Sequence, residues 1–362
     1  MAANETSVSA ALGRLLSTPG GVFYFAPLGL TLAVFLVFVG EHFWEVKHAR
    51  FQAVYIRSVL LFPVAATLAF FGGLKYAALP WVEVVLALLE GYVFVLFFGL
   101  FVGWAWCKGD VHANLQCSAR SSVCCYTSCG GCGPRYGSGK AALASIRMQM
   151  YQFALVKPLV NLAKAVSIER TGEVTNPVMA ISSLFNLVTI IFALRGVLNL
   201  FYALKKGGSK NKTSAAVQVE PRDPKHETGT QNLLEGLGAF QKFLVIKSFL
   251  FFTMLNSVLL NKLIEDGTFK APATLCDAFD QTDPALLAKE CHGRFEAWVV
   301  MLESCILVVF ASLNFRPHSV DSLAAEHRRG GESRCNLAMR VLALGDVCGS
   351  FLVPPATRDA PA

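Results

Sequence analysis

Four polar side chains, Gln152, Lys157, Asn161 and Lys164, run through the middle of a largely apolar stretch, 148–164, and Pro158 directly follows the first lysine. Spaced three to five residues apart, they fall broadly on one side of a helix. Such groups are costly in hydrocarbon, so they are expected to face a bundle interior or a wet cavity. Pro158 removes a backbone hydrogen bond and kinks a helix, which neighbours must compensate. Two chemistries are open to the lysines. They can receive an anionic group passing through the membrane, or they can be buried structural groups whose ends reach the interfaces. Glu90, Arg195, Lys247 and Glu303 also lie within apolar runs, each on a different one. Intramembrane charges on separate segments imply a shared polar interior, in which the glutamates either pair with the cations and lock the helices or line a path. The candidate substrate-binding set is therefore Gln152, Lys157, Pro158, Asn161, Arg195, Lys247, Glu90 and Glu303.

The cysteines form a second group. There are eleven, and Cys124, Cys125, Cys129 and Cys132 sit close together in the Gly/Ser-rich loop 107–147. With Cys117 their spacing permits a zinc site, but the paired CxxC frame is absent. Beside a membrane and among basic residues, the same thiols suit S-acylation, and plain reduced thiols are the third reading. Cys276 and Cys291 share the loop 264–294, where a disulfide between them is expected if that loop lies outside the cell. Asn4 opens the sequon Asn4-Glu5-Thr6 and is a glycosylation acceptor under the same condition.

The elements that must position these groups are membrane spans. The chain has 362 residues, 54% hydrophobic and 16% charged, with a mean hydropathy of +0.49. That composition excludes an ordinary soluble domain and indicates an all-α, polytopic membrane protein. Seven runs can span: 23–39, 53–71, 82–106, 148–166, 178–200, 240–263 and 295–313. The fourth is the weakest by hydropathy. No cleavable signal peptide is read in the polar, small-residue start of the chain. Loops 41–52, 107–147, 202–237 and 314–362 hold nineteen Lys and Arg, against six in the segments on the other side. The positive-inside rule then places residues 1–22 outside and the tail 314–362 in the cytoplasm, with a seven-helix transmembrane domain over 23–313. In the tail, Leu337, Ala338, Val341, Leu344 and Cys348 recur at helical spacing, which predicts an amphipathic helix on the membrane surface. The net charge of +7 sets orientation and is no sign of nucleic acid. No cofactor and no metal is expected.

Several short motifs carry a resemblance. Gln152-Phe-x3-Lys157-Pro158 is similar to a signature of the organic solute transporter alpha and transmembrane-protein-184 superfamily. Lys242-Phe243-x3-Lys247, Arg57-x5-Pro63 and Glu90-x-Tyr92 resemble further stretches of it. The cysteine-rich loop, Cys291-His292 and Glu303 favour the alpha-subunit branch. The resemblance runs from about residue 23 to 315. The cysteines here are more interrupted than the family loop, and the loop after the fifth run and the tail are long. The resemblance implies facilitated, bidirectional transport of amphipathic organic anions such as bile-acid, steroid or lipid-like solutes. It also implies a small single-span beta-type subunit as partner, beside membrane lipids. A seven-span receptor and a membrane enzyme built on the cysteine loop are the competing classes. Against the first, no acidic-Arg-aromatic triplet ends the third run, and no Asn-Pro-x-x-Tyr ends the seventh. Against the second, His42, His48 and His112 form no recognisable base set for a cysteine nucleophile.

Overall fold

In the computed structural model, residues 13, 17, 19–74, 78–108, 139–171, 176–210, 239–255, 284–317 and 334–342 are described. They are helical almost throughout, with no strand among them. In chain order the helices are α1 (Pro19–Trp44), α2 (Ala49–Val59), α3 (Leu61–Leu74), α4 (Leu79–Lys108), α5 (Gly139–Thr171), α6 (Asn176–Lys210), α7 (Ala239–Leu255), α8 (Pro284–Asn314) and α9 (Arg334–Leu342). Helices overlap every run expected to span, the sixth run (240–263) only as far as Leu255, since its remainder lies outside the described residues. Among the described residues, four segments are long and apolar enough to cross a membrane: Gly20–Trp44, Ala49–Leu74, Leu79–Gly103 and Glu290–Asn314. The helices α5 and α7 each carry two lysines within their apolar runs, Lys157 and Lys164 on α5 and Lys242 and Lys247 on α7, and α6 holds the shorter apolar stretch Leu184–Leu198.

Proline sets the local breaks. Pro27 has no N–H, so the Phe23 carbonyl loses its helical donor. The Trp298 indole N–H of α8 takes that carbonyl at 3.2 Å, and its ring stacks on Phe23 at 4.8 Å. In one exchange the defect in α1 becomes a contact to α8. Pro63 likewise frees the Val59 carbonyl, and α2 gives way to α3 at Leu60. Bonds from the Leu60 N–H to Ile56 and from the Val64 N–H to Leu60 carry the chain across the break. At the α1–α2 turn no side chain caps His48. Instead Gln52 accepts from the N–H groups of Lys47 and His48 at 2.9 and 3.1 Å. Its amide also donates to the Glu45 carbonyl. The His48 N–H, at the N-cap, is among the donors a helix start leaves without an intrahelical partner.

Packing follows an order that differs from the chain's. α3 lies between α1, α4 and α8; α4 runs on to α5, and α5 to α6; α7 rests on α8 and α4. A large apolar core spans α2, α4 and the inner faces of α5 to α8. A smaller one joins the starts of α1 and α8 to α3 through Tyr24, Phe70, Phe295 and Met301. Large apolar side chains such as Leu36, Phe185, Ile191 and Phe310 stay exposed on α1, α6 and α8. A water-soluble monomer does not present so much apolar surface, whereas a bilayer covers it.

The tail helix departs from expectation. It does not lie free on the membrane surface but docks on the bundle against α2. Leu337 is fully buried in the large core and Val341 packs against it. The Arg57 guanidinium donates to the Val341 carbonyl at 3.0 Å, satisfying an acceptor that a helix end leaves open. Leu344 and Cys348 lie outside the described residues.

Candidate functional site

The helices α4 and α5 run antiparallel and bring four charges into register. Glu83 and Glu90 are seven residues apart on α4, and Lys157 and Lys164 are seven apart on α5. Seven residues is close to two helical turns, so each pair shares one face about 10 Å apart. Lys157 donates to the Glu90 carboxylate in a buried ion pair, with the residues 8% and 3% exposed. Lys164 Nζ meets Glu83 Oε2 at 2.8 Å, in a less buried setting. Between them the Asn161 amide donates to the Glu83 carbonyl at 3.3 Å and accepts from Asn186 of α6 at 3.2 Å. Glu296 of α8 lies within electrostatic reach of Glu83 and Lys164. The result is a polar ladder linking α4, α5 and α6, with α8 at its more open end.

Small residues allow this approach. A side chain at Gly91 would come within 2.8 Å of the Ala154 backbone, so only glycine lets α4 and α5 close here. Ala154 is also the residue whose carbonyl Pro158 leaves without its helical donor. Gly196 similarly admits Gln149, tightening α5 against α6. The two carboxylates offset the cost of burying the two ammonium groups, and Phe153 lies 5.6 Å below the Lys157 charge.

Of the residues expected to form one site, Glu90, Lys157, Pro158 and Asn161 come together. Gln152 does not. It is exposed, because five residues turn a helix by about 140° from Lys157. Arg195 is also exposed, and nine residues place it about 180° round α6 from Asn186. Lys247 and Glu303 are half-buried on α7 and α8, outside the α4–α5–α6 ladder. Glu83 and Asn186 were absent from the expected set, and Lys164 was read as polar lining but not as a site residue. The signal that would have found them is the matched seven-residue spacing of acids and bases on neighbouring runs.

Other motif residues take structural posts. Lys242, fully buried on α7, donates to the Tyr55 hydroxyl at 3.2 Å and sits over the rings of Tyr55 and Phe315. His42 Nε2 lies 2.9 Å from the Phe315 carbonyl, tying α1 to the end of α8. Near the start of α8, Arg294 donates to the Gly73 carbonyl at 3.5 Å and lies over Tyr24. Cys291 is buried and disulfide-bonded. Its expected partner Cys276 lies outside the described residues, as do Asn4, Cys124, Cys125, Cys129 and Cys132. Among the described residues no cluster of His, Cys, Asp and Glu could hold a metal ion.

Comparison with known proteins agrees with the motifs. The family model described as Organic solute transporter Ostalpha matches residues 22–214, more than half of the chain. That match takes in α1 to α6 and so both lysines of the ladder. No curated protein and no solved structure matches the chain. Together with the apolar helices, the match makes the chain a multi-pass membrane protein of a solute-transporting type. With Arg57-x5-Pro63, Glu90-x-Tyr92 and Gln152-Phe-x3-Lys157-Pro158 inside the matched region, the chain belongs to the organic solute transporter Ostalpha family.

Proposed function

We propose that this chain is a transporter subunit for facilitated, bidirectional movement of amphipathic organic anions, with bile-acid, steroid or lipid-like bodies. The reading rests on the family match, and one observation carries it further. The helices α4 and α5 hold two lysine–glutamate pairs at different degrees of exposure. The deep pair, Lys157–Glu90, acts as the fixed lock between the helices. The more open pair, Lys164–Glu83, is the one a solute anion can enter, because it is partly exposed and water there can solvate the Glu83 carboxylate that the anion displaces from Lys164. Asn161 and Asn186 offer neutral hydrogen-bonding groups beside it.

The same reading includes a seven-span chain, with residues 1–22 outside and 314–362 cytoplasmic, and a small single-span beta-type partner. It also includes S-acylation of Cys124, Cys125, Cys129 and Cys132, a Cys276–Cys291 disulfide and glycosylation at Asn4. Membership of a transporter family favours a non-enzymatic role. The direct test is uptake in cells that co-express the chain and a candidate partner. Lys164→Gln is expected to lower uptake of a sulfated sterol while sparing its neutral parent, at unchanged surface level. Equal uptake of both by the variant and the parent chain would remove Lys164 from the path.

A further inference from the structure

Away from the ladder, a groove of about 260 Å³ lies between α1 and α8 at the Trp44 end of the bundle. Val34, Val37, Phe38 and Leu313 wall it. Val37 is 64% exposed and Leu313 53%, so the groove opens sideways, toward lipid. Its mouth carries two opposite charges, Glu41 from α1 and Arg316 just beyond α8, both exposed. Trp44, exposed one turn beyond Glu41, marks the headgroup level at which such side chains settle.

We propose that this groove seats one acyl chain of a glycerophospholipid with a primary-ammonium head group, phosphatidylethanolamine. Arg316 takes its phosphate, and Glu41 takes its ammonium. The charge order supplies the argument. A guanidinium offers five N–H donors and matches phosphate oxygens, while a primary ammonium brings three donors to a carboxylate. A choline head group has no N–H for Glu41. A glycerol head group offers Glu41 neutral hydroxyl donors but no counter-charge, which disfavours it. Size argues in the same direction. Ligand sites for drug-sized molecules begin near ~300 Å³, so this groove accepts a hydrocarbon chain more readily than a fused-ring body. The site is therefore separate in chemistry and place from the ladder between α4 and α5.

The proposal needs the chain to sit in a bilayer but is independent of what it transports. Lipid retention is read without any uptake assay, so either reading can fail alone. The full chain is reconstituted with equal parts of ethanolamine, choline and glycerol phospholipids, released gently, and weighed by native mass spectrometry. One retained lipid is expected, with the ethanolamine lipid enriched about tenfold, the size of one charge-assisted hydrogen bond. Glu41→Gln should abolish the head-group preference while some phospholipid is still retained. Arg316→Gln should lose retention of all three. Val37→Trp fills the groove with both charges in place and should also release the lipid, which guards against a charge variant that fails to fold. A wild-type chain that retains the three lipids in the ratio supplied would overturn the proposal. So would an ethanolamine preference that survives both Glu41→Gln and Val37→Trp.

Discussion

Lys157 and Glu90 stand or fall together, because each supplies the counter-charge that keeps the other buried. Removing one partner of a buried pair strands a charge and costs about 3–5 kcal/mol, whereas removing both is far milder. Lys157→Gln is therefore expected to reduce folded protein sharply and lower Tm in detergent. The double change Lys157→Gln/Glu90→Gln should restore most of it. Independent, additive losses in the two single variants would show that the pair is not coupled. The lysines within the apolar runs were legible in the sequence because a charge in such a run has few explanations. Which residues faced them was less legible. A window of three to five residues seems one-sided on paper, yet at 100° per residue it carries Gln152 away from Lys157 while holding Asn161 and Lys164 in line. Partner choice needs the register between two helices, and neither helix states that alone.

At the scale of elements, glycine and proline decide which helices can touch. The close approach of α4 and α5 depends on Gly91, where a side chain would meet the backbone of Ala154 rather than a yielding side chain. Gly91→Val is expected to push the helices apart, weaken both ladder pairs and lower Tm. Gly29→Val, where nothing lies within 4 Å, should have little effect beyond propensity. Equal behaviour of the two variants would refute the close-contact account. The positions of the helices were readable from the apolar runs, but the break at Leu60, ahead of Pro63, divides a run that reads as one span in the sequence. The docking of α9 was not readable, since its periodic apolar face fits a membrane surface and a protein surface equally well. What distinguishes them is Leu337, which is fully buried, while Met339 on the same helix is 64% exposed. Leu337→Asp should therefore destabilise the folded chain by several kcal/mol through an unpaired buried charge. Met339→Asp should be close to neutral for folding, as read by a thermal shift on both proteins.

For the whole molecule, the arrangement explains why only some helices look like spans by composition. Of the clear ones, α1 and α8 turn much of their surface to lipid, which requires apolar side chains there, whereas α2–α3 and α4 are largely buried and owe their apolar character to the core they form. α5 instead packs between α4 and α6 and turns its charges to them, so it can afford lysines that a lipid-facing helix cannot. Its low hydropathy is thus a consequence of its place in the bundle and is compatible with crossing the membrane. The antiparallel register of the ladder bears on topology too. Pairing Glu83 with Lys164 and Glu90 with Lys157 requires α4 and α5 to run in opposite directions, as two successive spans do. If α4, α5 and α6 all cross, loop 107–147 and loop 202–237 are expected on one side and the turn after α5 on the other. We predict that epitope tags placed in loops 107–147 and 202–237 are both reached by antibody only after permeabilisation. A tag inserted at residues 172–175 should be reached on intact cells, together with a tag at the N-terminus and not one at the C-terminus. If the 172–175 tag were protected while the two loop tags lay on opposite sides, α5 would not cross. The lysine–glutamate ladder would then have to form outside the hydrocarbon, and its role as an intramembrane lock would fail with it.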